Sequence, residues 1–152
     1  MKQAVSGIVF LFAGAGAAVA APSGKALFDN NCAFCHQAGG AGVPGQFPRL
    51  EGRAGEIASK PEGREFLVMV LLNGMSGHIN VDGQDILGLM PSFSTQSNEE
   101  LAATLNYIVR LGKTKAKAFT VKEIADGRAK PMLTPGDVTT RRAILVTNKI
   151  VP

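Results

Sequence analysis

The chain is 152 residues long, carries 16 Lys and Arg against 12 Asp and Glu, and contains two Cys, one Tyr and no Trp. This length supports one domain with an extension rather than two domains, and two cysteines exclude a disulfide-dense secreted scaffold, so the core needs another source of cohesion. The charge is divided along the chain: Pro22 to Val109 holds five basic and nine acidic residues, net −4, whereas Arg110 to Pro152 holds ten and three, net +7.

The first residues read as a signal peptide over residues 1–21. Lys2 gives a short positive start, Ile8 to Val19 is apolar apart from Gly and Ala, and Ala18-Val19-Ala20-Ala21 supplies the small residues at which a peptidase cuts. Cleavage after Ala20 or Ala21 is expected. The product is exported to the periplasm, with no stable membrane span once the signal is removed.

Ser23 to Phe34 is predicted to be helical, with Ser23 as cap and Ala26, Leu27 and Ala33 at apolar positions. Gln37 to Arg53 is dense in Gly and Pro and reads as a long structured loop, a kind of segment that usually wraps something. Glu62 to Asn73 is a second helix, apolar at Phe66, Leu67, Val70 and Leu71 and stopped at Asn73-Gly74; Met69 within it is a core filler. Met75 to Thr95 holds three glycines and reads as loop, with a small hairpin turn at Asp82-Gly83. Ser97 to Leu111 is the clearest helix: Ser97 caps, Glu100 completes a capping box, and Leu101, Leu105 and Ile108 form one stripe. Lys113 to Lys117 is a charged linker, Thr120 to Glu123 is a capping box for a short helix, and Thr134-Pro135 starts a last one.

The chemistry is concentrated in Cys32-Ala33-Phe34-Cys35-His36. Two thiols at this spacing add to the two vinyl groups of a haem, and the adjoining His36 is held under the iron as an axial ligand. A zinc site would need about four ligands, and only His78 remains beyond this motif. A thioredoxin-like pair would need a βαβ context that the sequence lacks. The second axial ligand should come from a distant loop, and Met90 is the candidate: it lies in a Gly-rich turn ahead of the last strong helix, stiffened by Pro91. Met75 and His78 are the alternatives, and His78 would lower the redox potential relative to a His/Met iron; Met132 is not a contender. The other ring nitrogen of His36 needs an acceptor, for which a backbone carbonyl in the Pro-containing loop, foremost Pro48, would serve. Pro44 and Pro48 could equally do no more than shape that loop.

These residues resemble a class I c-type cytochrome. Gly24 and Phe28, Cys32 to His36, Pro48 with Leu50, Met90-Pro91 and Tyr107 match that family's landmarks in order, over about Gly24 to Leu111. The resemblance implies an all-α fold with crossed first and last helices around one covalent haem c. It also implies His36 and Met90 as the iron's axial pair, with the Pro48 carbonyl accepting from His36. The organisation expected is a signal peptide (1–21), a cytochrome c haem domain (22–112) and a basic C-terminal extension (113–152). A narrower likeness, carried by Gly42-Val43-Pro44-Gly45, Phe47-Pro48-Arg49-Leu50, Gly74 to His78, Leu89-Met90-Pro91, Leu105-Asn106-Tyr107 and Thr134-Pro135-Gly136-Asp137-Val138, is to small cytochrome subunits of periplasmic quinoprotein alcohol and aldehyde dehydrogenases.

The resulting expectation is a non-enzymatic electron carrier with redox protein partners, a dehydrogenase as donor and a cytochrome or oxidase as acceptor. The alternative is a haem enzyme or gas sensor with an open or displaceable sixth ligand. The basic extension either docks on an acidic partner or folds back on its own acidic domain. Nucleic acid is not an expected partner, since the protein is exported and the extension lacks interleaved aromatics.

Overall fold

The computed structural model describes residues 22–152, so the segment read as a signal peptide lies outside the described residues. The chain opens with α1 (Gly24–Asn31), whose start is set by Ser23: its hydroxyl accepts from the Ala26 N–H at 3.2 Å. The single helix expected over Ser23 to Phe34 is in fact two. Cys32 leaves helical geometry at φ −120°, and α2 (Ala33–His36) begins a new turn. The Cys35 and His36 N–H groups both bond back to the Cys32 carbonyl, at 3.2 and 2.9 Å.

The loop that follows is pinned to its own base. The Gly40 carbonyl accepts from Leu50 and Glu51 at 2.8 and 3.1 Å, and the Gly52 N–H reaches the Leu111 carbonyl at 2.8 Å. A short helix not expected from the sequence, α3 (Arg53–Ile57), leads into α4 (Pro61–Asn73), with Pro61 in its first turn, where no amide donor is needed. Gly74 ends α4 at φ +73°.

The segment expected to be loop with a small turn is a full antiparallel hairpin, β1 (Met75–Val81) paired with β2 (Gln84–Met90). The all-α expectation is corrected accordingly: the class I helical frame is present with one two-stranded sheet added. Asp82 and Gly83, at φ +53° and +77°, form the two-residue turn whose positive φ values suit the twist of a hairpin. Ile79, Val81 and Ile86 pack together on the inner face, but Gly77 and Gly88 interrupt the apolar alternation that would have announced strands.

Next comes α5 (Asn98–Ile108), with the Ser97/Glu100 capping box in place. It packs on α1 so closely that a Cβ on Gly24 would overlap the Ala103 carbonyl, and Phe28 and Tyr107 meet at 5.2 Å between ring centroids. Phe28, Leu101 and Leu105 are all but inaccessible at the centre of this contact.

The basic segment folds back onto the rest of the chain. Its two helices, α6 (Val121–Arg128) and α7 (Pro135–Thr147), each start on a Thr capping box. α6 packs on α4 and α5, and α7 packs on α4 and β1. Ile124 and Val138 are fully buried, and Phe119, Leu145 and Val151 nearly so, each contributing roughly 1.5–3 kcal/mol of burial. Polar clamps fix the seam: the Asn106 amide bonds both backbone groups of Phe119, at 2.9 and 2.6 Å.

Candidate functional site

The turn between α1 and α2 places Cys32, Cys35 and His36 on one wall of a cavity. Neither thiol is in a disulfide, so both are available to add to another group. Burial pushes the Cys32 thiol up to about 11, which keeps it a protonated thiol until it reacts.

His36 is buried, and its Nδ1 lies 2.9 Å from the Pro48 carbonyl. A carbonyl can only accept, so Nδ1 carries the proton and Nε2 keeps its lone pair. Burial holds the imidazole pKa below its ordinary value, against the opposing pull of the Pro48 hydrogen bond. The ring is thus neutral and oriented, as a metal ligand must be.

The hairpin lines the same cavity. Met75 pairs with Met90, Gly77 with Gly88, and Ile79 with Ile86, and because side chains alternate along a strand these six share one face. All six line the cavity beside the cysteines and His36. The Gly pair leaves bare backbone between the two methionines and the two isoleucines. A Cβ on Gly88 would meet nothing within 4 Å, and one on Gly77 only the Thr139 methyl at 3.8 Å. That flat gap admits a planar group against the sheet. Met90 is held from behind: the Phe93 N–H bonds the Leu71 carbonyl at 2.8 Å and the Ser92 hydroxyl bonds the Leu72 carbonyl at 2.6 Å. His78 occupies the outer face, largely exposed and 3.4 Å from Asp85, and lines no part of the cavity.

A second cavity adjoins the first and shares Cys32, His36, Pro48, Met75, Ile79 and Met90 with it. The two enclose about 740 and about 770 Å³ of empty space, part of it open to solvent. Beyond His36, the polar side chains lining the second are Arg49, Arg53 and Arg142. Arg53 and Arg142 are each only 7% exposed, and the sequence reading had missed both. Arg53 reaches the Pro152 carbonyl and lies 3.4 Å from Asp82, while Arg142 donates to the Asn80 carbonyl at 2.8 Å. Burial lowers both guanidinium pKa values, and Arg53 lowers that of Arg142 further. Arg53 shares the half-exposed Asp82 carboxylate with Arg49, and Arg142 makes no ion pair among the described residues, so two buried cations with this little compensating charge favour an anionic ligand.

Two thiols, a neutral imidazole and two thioethers lining one cavity, with buried guanidiniums lining the apolar slot that adjoins it, fit a haem. The macrocycle is flat and apolar, and it carries two carboxylates at one edge. Fold and site together define a class I c-type cytochrome.

The cytochrome c family matches residues 21–112, and the chain belongs to it. The chain is 43% identical over 140 residues to a cytochrome c-552 of Thermus thermophilus, a match covering 89% of this chain and 93% of that protein. It is 46% identical over 116 residues to a second cytochrome c-552 sequence of Thermus thermophilus, covering 73% of this chain and 88% of that protein. The chain therefore carries one covalently attached haem c, moves electrons as a carrier, and works with redox partners. Among the described residues no helix is long and apolar enough to cross a membrane.

Proposed function

We propose that this protein is a periplasmic one-electron carrier in which Cys32 and Cys35 form the thioether links, and His36 and Met90 are the axial ligands. The observation that supports the reading is that a proton-fixed His36 and Met90 both line one cavity. Haem c supplies a reversible one-electron couple at its iron.

The chain's own residues do the rest. The Pro48 carbonyl holds the His36 proton on Nδ1 and so keeps Nε2 available as ligand. With His36 and the Met90 thioether both holding the iron, no coordination position would be left for a substrate, which would suit electron transfer rather than bond cleavage. Arg53 and Arg142 face the slot as counter-ions for carboxylates. Ile57, Phe66, Leu71 and Ile108 line it, and apolar lining of this kind lowers the local dielectric in which a charge change on reduction is felt.

The protein is exported by a signal peptide over residues 1–21 and takes electrons from a periplasmic dehydrogenase, passing them to a cytochrome or oxidase. This is supported by the N-terminal pattern and by the motif likeness to dehydrogenase-associated cytochromes. Phe34, Leu87 and Leu89, 91%, 78% and 69% exposed, lie next to the thiols and along the hairpin, and suit the small transient contacts of redox encounters.

Optical spectra of the oxidised and reduced protein test the reading. Low-spin haem c with the weak far-red sulfur-to-iron band is expected. An oxidised spectrum without that band, together with rapid carbon monoxide binding by the reduced form, would overturn it.

A further inference from the structure

Met75 is not used by the reading above, yet it stands directly opposite Met90 in the hairpin register. Side chains of such a pair lie on the same face with Cβ atoms about 4.5–5.5 Å apart. Both methionines are half-buried and both line both cavities together with His36. The next pair along, Gly77 and Gly88, has no side chains to separate the two thioethers from the slot. Methionine is unbranched with three rotatable bonds and a soft sulfur donor, so its reach is adaptable and its chemistry is that of Met90.

We propose that Met75 is a second thioether ligand for the same axial position, occupied when Met90 is absent or displaced. The inference rests on Met90 being the resident ligand. The exchange is a ligand substitution in which one iron–sulfur bond breaks and another forms, with no electron or proton transferred. Their surroundings explain the order of preference. Met90 packs against the main core and is followed by a pinned Pro91-Ser92 turn, whereas Met75 packs against Ile57, Phe66, Val138 and the hairpin isoleucines and must leave those contacts to bind.

The holoprotein tests this with Met75→Leu, Met90→Leu and the double variant, covalent haem being verified on denaturing gels. The far-red band is expected in wild type and in Met75→Leu, retained but shifted in Met90→Leu, and lost only in the double variant, which alone binds carbon monoxide rapidly when reduced. Loss of the band in Met90→Leu, with carbon monoxide binding as fast as in the double variant, overturns the proposal and leaves the Met90 assignment standing. A wild type without the band, or its loss in Met75→Leu, overturns the Met90 assignment and this proposal with it. If Met90→Leu does not accumulate with haem, flash photolysis of the carbon monoxide adducts decides. Two thioether-rebinding phases in wild type that collapse to one in Met75→Leu support the proposal, and a single phase in both overturns it.

Discussion

Arg64 on α4 grips Glu123 on α6 with both ends of its guanidinium, Nε to Oε1 at 2.8 Å and NH2 to Oε2 at 3.1 Å. The same guanidinium donates to the Lys117 and Ala118 carbonyls and lies 3.9 Å above the Phe119 ring. One side chain thus staples the haem domain to the returning C-terminal segment. Arg64→Ala is expected to cost about 2–3 kcal/mol, measured as a lower denaturant midpoint of the holoprotein.

The same pair sets a pH dependence. The Arg64 hydrogen bond holds the Glu123 carboxyl down to about 2, from an ordinary value of 4.5, with the Thr120 cap assisting against the cost of burial. A carboxylate whose pKa is depressed on folding contributes fully above its unfolded value and loses that contribution as pH falls through its folded value. Wild type should therefore lose stability between about pH 4.5 and about pH 2 more steeply than Arg64→Ala. Parallel curves from thermal melts across that window would show that the pair contributes nothing.

Removal of residues 112–152 is expected to destabilise the haem domain rather than leave it intact. The cut strips Phe119, Ile124, Val138, Leu145 and Val151 from the core, and exposes the faces of α4, α5 and β1 that they cover. The point variant Ile124→Ala should cost about 2–4 kcal/mol through the cavity it leaves. Circular dichroism melts of the two proteins measure both effects, and a truncated chain that melts with wild type would show that the segment is only a passenger.

Gly24→Ala probes the α1–α5 crossing. Its new methyl would collide with backbone, the Ala103 carbonyl, rather than with a side chain able to move aside. The helices must separate, at a cost of roughly 1–3 kcal/mol. A lower Tm together with loss of near-ultraviolet dichroism from Tyr107 is the expected outcome, since that ring packs at a tilt against Phe28 at the same contact.

Arg142→Met keeps the volume of a buried side chain while deleting its charge. A cation beside the slot favours the reduced, less positive form of the couple, so its removal should lower the midpoint potential by on the order of tens of millivolts. Spectroelectrochemical titration measures this, and an unchanged potential would place the guanidinium's effect entirely in packing.

Local chemistry made part of this legible from residues alone. Cys32, Cys35 and His36 stand out because attachment of a haem demands those groups at that spacing within one helical turn. The capping boxes at Ser97 and Thr120 are readable because each is a contact between residues three apart, and Thr134-Pro135 is readable as a helix start, its box with Asp137 being shown by the structure. The fold-back of the basic segment was one of two readings open to the sequence, since charge composition does not say whether a cation faces solvent, a partner or its own chain.

Tertiary structure alone decided the rest. The hairpin exists because Met75 to Val81 finds Gln84 to Met90 across a tight turn and the inner face is then covered, while its paired glycines hide the strand pattern. Arg53 and Arg142 face one cavity although 89 residues separate them in the chain. Their burial depends on α7 returning over the hairpin, where Arg142 meets Asn80 and Thr139 meets Ser76. Sequence patterns report contacts within a turn or two of the chain. The burial of a charge is set by which distant elements close around it, and that is a property of packing.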